Sequence, residues 1–235
     1  MFENLPGIIP SLDVEIGEAR RVVEEIKDLR REICGLKIGS LLAWKYGLQR
    51  VVEEMKKTSD FKFPIIFDAQ KAGTDIPEMT RKQVKVVADA GVDAFIAAPQ
   101  GAGSATLAAF VDACLEHEII PIVVVEMTHQ DFDAFLSGDA SEKILEDALE
   151  RGVEDFVAPA NKPERLKFYK NFAEEKKKGI KIFSPGVGPQ GGGPDSAVAA
   201  GADFVIVGRA IYEAENPRRE VIRIYEKIKK VKKAV

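Results

Sequence analysis

The 235-residue sequence has few cysteines and no long hydrophobic run. Its two cysteines, Cys34 and Cys114, are too few for a disulfide scaffold. Both lie in apolar segments, which predicts buried free thiols in a reducing cytoplasm. The N-terminal segment lacks the basic and then apolar pattern of a signal peptide, and no apolar run reaches membrane-spanning length. These absences predict a soluble, cytoplasmic protein without a membrane partner.

The sequence also has only two histidines and no large excess of positive or negative charge. His117 and His129 have neither the spacing nor the neighbours of a metal site. No Ser-His-Asp or Cys-His arrangement typical of nucleophilic catalysis is present. The net charge of −4 gives no electrostatic reason to expect nucleic acid, and the lysine-rich segment 227–233 is better explained as the end of a solvated helix. The sequence therefore predicts neither a metal site nor a nucleic-acid partner.

What the chain does contain is a regular alternation of short Ile/Val runs and longer amphipathic stretches. The short runs are the predicted strands, at residues 7–12, 33–38, 64–67, 93–97, 119–125, 155–157, 180–183 and 203–207. The apolar spacing between them predicts helices, among them residues 16–29, 41–55, 78–90, 104–117, 140–150 and 163–177. Strands that are apolar almost throughout indicate burial on both faces, hence a parallel sheet covered by helices.

Eight strands joined by crossovers is the number that closes a (β/α)₈ TIM barrel. An open, doubly wound sheet is the alternative, but at this length it usually has fewer strands and a glycine-rich turn after the first one. Here Ser11-Leu12-Asp13 stands at that point. No linker or shift in composition divides the chain. We therefore predict an α/β fold in which residues 1–235 form a single barrel domain.

Glycine-rich turns follow the last two predicted strands. The first turn carries Pro185 and Gln190 among five glycines, and the second places Arg209 directly after Gly208. Backbone amides in such turns can approach an anion closely, and an arginine can pair with it. This combination predicts a phosphate site. A phosphate on a small substrate supplies binding energy at a distance from the reacting atoms.

Other polar residues follow the remaining strands, where the reactive groups of such barrels lie. They are Asp13, Lys37, Asp68, Lys71, Asp75, Thr128 and Asn161. The segment from Asp68 to Pro77 alternates acid, base and acid, and these charges are costly to desolvate unless they pair. A purely structural alternative is a polar loop that caps the next helix, with Asp75 as N-cap and Pro77 near the first turn.

At these residues the chain resembles the orotidine 5′-phosphate decarboxylase family, the pyrimidine-biosynthesis enzymes that form UMP, in its compact archaeal form. The resemblance covers nearly the whole length and is strongest in residues 184–192 and 206–217. It implies that Gln190 and Arg209 hold the phosphate, in turns that contain Pro185 and Gly208. It also implies that Asp13 contacts the ribose and that Thr128 hydrogen-bonds the pyrimidine.

The same resemblance implies decarboxylation without metal or cofactor. Lys71 would stabilise the negative charge that develops at pyrimidine C6 and then donate a proton there. Lys37 and Asp68 would hold Lys71 in place. Asp75 would come from the second subunit of a homodimer.

One departure from the family pattern keeps two alternatives open. The family motif is Asp-x-Lys-x-x-Asp-Ile, whereas Asp68, Lys71 and Asp75 are separated by one additional residue in each gap. Neighbouring side chains in an extended segment point to opposite faces, although Gly73 permits a bulge. The alternatives are a magnesium-dependent aldolase similar to hexulose-6-phosphate synthase, with Asp68 as a metal ligand, and a phosphate- or nucleotide-binding paralogue without turnover. Thr128 and the Gln190 loop favour the decarboxylase.

Overall fold

A computed structural model describes residues 2, 5–59, 63–69, 75–188 and 190–232. Its strands are all parallel and lie in the order β1-β8-β7-β6-β5-β4-β3-β2. They are β1 (Gly7–Pro10), β2 (Leu36–Gly39), β3 (Ile65–Asp68), β4 (Ala94–Ala97), β5 (Ile120–Val124), β6 (Asp155–Val157), β7 (Lys181–Ser184) and β8 (Phe204–Val207). Bridges between Ile8 and Ile33 and between Ser11 and Lys37 join β1 to the β2 side and close the barrel. The predicted (β/α)₈ fold is confirmed.

Helices alternate with the strands and surround the barrel. They are α1 (Ile16–Ile26), α2 (Ser40–Tyr46), α3 (Leu48–Thr58), α4 (Pro77–Asp89), α5 (Ser104–Glu116), α6 (Ala140–Glu150), α7 (Pro163–Lys176), α8 (Pro194–Ala199), α9 (Arg209–Tyr212) and α10 (Pro217–Lys232). The prediction of one continuous helix over residues 41–55 is wrong. Gly47, with a φ of 80°, ends α2 and starts α3. Such a backbone conformation breaks a helix and is readily adopted only by glycine.

Alternation along each strand separates the core into two layers. In β2, Leu36 and Ile38 pack in the layer between strands and helices, while Lys37 between them faces the barrel interior. In β3, Phe67 likewise packs outward, and Asp68 faces inward. The period of two along a strand thus delivers charged side chains to the interior from otherwise apolar strands.

The amino end of the barrel is closed by aromatic side chains. The ring of Phe2, which is 2% exposed, lies 5.2 Å from that of Phe183 and 5.7 Å from that of Phe204, measured between ring centroids. The rings of Phe183 and Phe204 are themselves 4.6 Å apart. The open, polar end of the barrel is therefore the carboxyl end.

The part of the lysine-rich segment that the structure describes belongs to α10, as expected. This helix buries Val221, Ile224 and Ile228 against the barrel, and Lys227, Lys229 and Lys230 are exposed on its other face. Within the described ranges, no helix has the length and apolar character needed to span a membrane.

Candidate active site

A cavity of about 200 Å³ opens at the carboxyl end of the barrel. It is lined by eight of the ten predicted site residues, which are Asp13, Lys37, Asp68, Thr128, Pro185, Gln190, Gly208 and Arg209. Parallel strands bring their carboxyl ends to the same edge, so residues more than 190 positions apart in the chain meet here. The cavity has a charged side, built from β1, β2 and β3, and an anion-binding side, built from the turns after β7 and β8.

The charged side is organised around Lys37, which is 6% exposed. Its Nζ lies 2.8 Å from Asp68 Oδ2 and 3.6 Å from Asp13 Oδ2. Burial by itself would lower the pKa of Lys37, but attraction to Asp68 and then to Asp13 outweighs it and raises the pKa above its ordinary value. Lys37 is therefore a fixed cation between two carboxylates.

Asp13 can occupy this position only because a glycine faces it. A Cβ at residue 39 would lie 1.9 Å from Asp13 Oδ1, so any other residue at Gly39 would displace the carboxylate. Ser11 also holds Asp13, since its hydroxyl donates a hydrogen bond to Asp13 Oδ2 at 2.5 Å. The carboxylate is thus positioned by two neighbours that were not predicted as site residues.

Only one carboxylate oxygen of Asp68 has a hydrogen-bond partner among the described residues. Oδ2 accepts the hydrogen bond from Lys37, whereas Oδ1 is buried and has no hydrogen-bond partner among the residues that the structure describes. A buried carboxylate oxygen is costly to leave unpaired and therefore favours a nearby donor. Lys71, predicted as that neighbour, lies outside the described residues, so its placement remains a prediction.

On the opposite side, Gly186 marks the point where three loops converge. Its φ is 97°, and a Cβ there would lie 2.9 Å from Thr128 Cγ2 and 3.3 Å from both Asn161 Oδ1 and Gln190 Oε1. The loops after β5, β6 and β7 are therefore packed around a glycine that no larger residue could replace. This contact brings Thr128, the predicted base contact, beside Gln190, a predicted phosphate contact.

The turn after β8 adds the predicted cation of the anion-binding side. Gly208 precedes α9, whose first residue is Arg209, and the Arg209 side chain lies at the cavity. No carboxylate in the described part of the chain lies within ion-pair distance of Arg209. An exposed guanidinium that lines the same cavity as Gln190 suits an anionic ligand.

Asp75 does not line this cavity. Its carboxylate is exposed and accepts hydrogen bonds from Ile76 N at 2.8 Å and Gln83 Nε2 at 3.3 Å, and its carbonyl accepts one from the Thr106 hydroxyl at 2.8 Å. The N-cap of α4 is Ile76, so the prediction of Asp75 as N-cap is wrong, while Pro77 does occupy the first turn. The Asp75 carboxylate contacts the N–H of the adjacent residue and the side chain of Gln83 in α4.

A buried network beside the cavity was given no role by the sequence. Glu126, 5% exposed, accepts hydrogen bonds from Lys162 at 2.8 Å, Arg165 at 3.0 Å and Tyr169 at 2.5 Å. Burial would raise the pKa of Glu126, but these hydrogen bonds, that of Lys162 foremost, hold it below its ordinary value. The network ties the β5 loop to α7. The sequence signal that could have identified this network is Glu126 itself, a charged residue close after a buried strand.

Three further cavity-lining residues, Ser11, His129 and Tyr212, were also not predicted as site residues. No sequence pattern distinguishes Ser11 or Tyr212 as a site residue, because single hydroxyl side chains are common throughout proteins. Within the described ranges, no group of three or more His, Cys, Asp or Glu side chains has the geometry to hold a metal ion.

A parallel (β/α)₈ barrel with a charged cavity at its carboxyl end defines a class of barrel enzymes that bind small anionic substrates. Within that class, the family model described as "Orotidine 5'-phosphate decarboxylase / HUMPS family" matches residues 6–224. The chain belongs to this family, and the resemblance expected from its motifs is confirmed.

Individual relatives agree with this assignment over almost the whole chain. The orotidine 5′-phosphate decarboxylase of Pyrococcus furiosus is 36% identical over 94% of this chain and 97% of that protein. The Methanosarcina mazei protein of the same name is 36% identical over 97% of both. A crystal structure of the Methanocaldococcus jannaschii decarboxylase, complexed with the inhibitor BMP, has a TM-score of 0.83 at 32% identity and covers 95% of this chain and 99% of that one.

Proposed function

We propose that this protein decarboxylates orotidine 5′-phosphate to UMP without a metal or cofactor. The observation that carries the proposal is the cavity itself, in a chain that belongs to this family. The cavity is lined by a buried ammonium between two carboxylates, by a glutamine, and by an arginine that has no carboxylate partner among the described residues. The arrangement offers a binding side for phosphate and a charged side for a reaction that develops negative charge.

The binding side would hold the substrate by its phosphate. Arg209 and Gln190, which line the cavity, would donate N–H groups to the phosphate, and Gly208 would allow the backbone to approach the anion. Pro185 begins the turn that carries Gln190. On the same reasoning, Thr128 contacts the pyrimidine from the β5 loop.

The charged side would perform the chemistry. As the C6–carboxylate bond breaks, its electron pair stays on pyrimidine C6 and carbon dioxide leaves. The ammonium of Lys71 stabilises this charge and transfers one proton to C6, which yields UMP. Asp68 supports the assignment. Its buried Oδ1 has no hydrogen-bond partner among the described residues and would accept a hydrogen bond from the ammonium of Lys71. Lys37 keeps Asp68 in position, and Asp13 is placed to contact the ribose.

We further propose that the protein acts as a homodimer in which Asp75 serves the partner's site. Asp75 is exposed outside its own cavity, and two apolar neighbours, Ile76 and Met79, are 61% and 39% exposed. Exposed apolar side chains next to a pre-positioned carboxylate suit a surface that is covered by a second copy.

That all described strands belong to one barrel supports a single domain over residues 1–235. The burial of both cysteines, Cys34 and Cys114, is compatible with work in the reducing cytoplasm.

The aldolase alternative is less favoured by the site. A magnesium ion would need the Asp68 carboxylate, but Lys37 already supplies a cation at 2.8 Å from it. The non-catalytic alternative depends on the lengthened motif and differs from the proposal only in where Lys71 lies. Both alternatives are decided by assay.

The test is release of carbon dioxide and formation of UMP by the purified full-length protein, with and without EDTA. We expect activity in both conditions and a loss of about 10²–10⁴-fold in kcat/KM for Lys71→Ala, the range for a positioned general acid. Lys82→Ala, at an exposed lysine of α4, is the matched control and should remain active. Wild-type activity in Lys71→Ala would overturn the role of Lys71, loss in EDTA would favour the aldolase, and tight UMP binding without turnover would favour the paralogue.

A further inference from the structure

Asn161, near the end of the loop between β6 and α7, has a hydrogen bond to only one of its two carboxamide atoms among the residues that the structure describes. Its Nδ2 donates a hydrogen bond to the backbone carbonyl of Thr128 at 3.1 Å. Its Oδ1 is buried, and no hydrogen-bond donor in the described ranges pairs with it. Buried side-chain oxygens are nearly always hydrogen-bonded in folded proteins. Oδ1 is therefore an acceptor whose donor has yet to be identified.

The position of Oδ1 identifies a candidate donor. Asn161 Oδ1 and Gln190 Oε1 each lie 3.3 Å from the point that a Cβ of Gly186 would occupy. Two carboxamide oxygens near the same point cannot hydrogen-bond to each other, because both are acceptors. A half-turn of the Gln190 carboxamide exchanges its oxygen for its NH₂ group with almost no change in shape, and this places a donor on the side of Asn161.

We propose that Asn161 is a positioning residue for Gln190, with Asn161 Oδ1 accepting one N–H of the Gln190 carboxamide when the phosphate is bound. This inference rests on the proposed function, in which Gln190 contacts the phosphate. The NH₂ group of glutamine has two N–H bonds. One can therefore donate to Asn161 while the other donates to a phosphoryl oxygen.

The consequence is a link between the two ends of the ligand. Asn161 holds the Thr128 backbone through Nδ2 and would hold Gln190 through Oδ1, so one side chain sets the distance between the base contact and the phosphate contact. Only an amide offers a donor and an acceptor in this geometry. A hydroxyl residue at position 161 would be too short to reach both neighbours.

The experiment is a double-mutant cycle in UMP affinity, measured by calorimetry on Asn161→Ala, Gln190→Ala and the double variant. A neutral hydrogen bond predicts a loss of about 3- to 10-fold for Asn161→Ala, and a bond to a charged group about 10- to 100-fold for Gln190→Ala. In the double variant, we expect no more than about a 2-fold loss beyond Gln190→Ala, because the two residues act through one contact.

Gln100 provides a closely matched control. Its Nε2 donates to the Val124 carbonyl at 2.7 Å and its Oε1 is also buried without a described partner, yet it does not line the cavity. Gln100→Ala should combine additively with Gln190→Ala. If Asn161→Ala fails to fold, Asn161→Ser, which cannot span the same gap, replaces it in the cycle.

Additive losses in the Asn161–Gln190 cycle would overturn the proposal, as would an unchanged UMP affinity in Asn161→Ala. Equal melting temperatures of the folded variants would show that the coupling is not a general loss of structure. Because UMP affinity is measured without turnover, the decarboxylation assay of the wild-type protein tests the proposed function separately.

Discussion

The two ends of the barrel interior are built from the same strands but solve different physical problems. At the amino end, Phe2, Phe183 and Phe204 pack their rings together and exclude water. At the carboxyl end, Lys37 and Asp68 face a cavity from positions with the same inward orientation. Charge is carried at the end where ligand enters, and apolar packing is confined to the end that only has to hold the strands together.

A second difference concerns how each end treats a buried charge. Lys37 at the carboxyl end has two carboxylate neighbours, and its pKa is raised despite its burial. Asp155 at the amino end, the first residue of β6, is 7% exposed and has a buried Oδ1 that no described donor reaches. Burial raises the pKa of Asp155 to about 6. Pairing, rather than depth, decides whether a buried charge is retained at neutral pH.

The largest expected effect comes from removing the cation at the carboxyl end. Lys37→Met leaves Asp68 and Asp13 without their shared cation, and we expect kcat/KM to fall by about 10²–10³-fold, the range for loss of one preorganised electrostatic group. Loss of one partner from a buried ion pair also costs about 3–5 kcal/mol of stability. The decarboxylation assay and urea denaturation measure the two effects. Retention of full activity would show that the ion pair only supports the fold.

The next effect tests the amino end in isolation. Phe2→Ala removes a buried ring and should lower the free energy of unfolding by about 3 kcal/mol, near the lower bound for such truncations. Activity of the folded variant should be unchanged, because the rings lie at the end opposite the cavity. Urea denaturation and the decarboxylation assay provide the check. A loss of less than about 1 kcal/mol would mean that neighbouring side chains refill the space.

The barrel and much of the cavity could be predicted because their signals are local. Lys37 stands between Leu36 and Ile38 in an apolar strand, and period-two alternation is enough to turn it inward. The break at Gly47 was missed, because an isolated glycine is often tolerated within a helix and only its left-handed backbone ends this one. The aromatic closure by Phe2 depends on a contact between the first residues and strands nearly 200 positions away. Local patterns carry no signal for it.

The roles of polar residues are even harder to predict from local sequence patterns. The sequence predicts that Asn161 and Gly39 lie at or after the ends of strands, but their roles depend on which strands are adjacent. Gly39 matters because β1 lies next to β2 and brings Asp13 within 1.9 Å of where a Cβ would be. The unpaired oxygens of Asn161 and Asp155 depend on every neighbouring loop. Whether a polar atom is satisfied is a property of the assembled fold.

The smallest effect sharpens the contrast between paired and unpaired charge. The pKa of Asp155 is about 6 in the folded protein, compared with 3.8 as the ordinary value. The folded state therefore favours the protonated carboxyl. The contribution of this group to stability is highest below pH 4, falls as the pH rises through about 6, and is constant above that. Lys181 partly offsets the burial, while Glu154 and Asp203 add to the shift.

Asp155→Asn removes this ionisation, so the variant should be more stable than the wild-type protein at pH 7 by about 1–3 kcal/mol, less any cost of the buried amide. The difference should shrink to near zero or reverse at pH 4. Urea denaturation of both proteins across this range measures it, and Asp89→Asn, at an exposed carboxylate paired with Lys85, is the control for general charge effects. Parallel pH profiles for wild type and Asp155→Asn would mean that the pKa of Asp155 is the same in the folded and the unfolded protein. The amino end would then tolerate an unpaired buried charge as well as the carboxyl end tolerates a paired one.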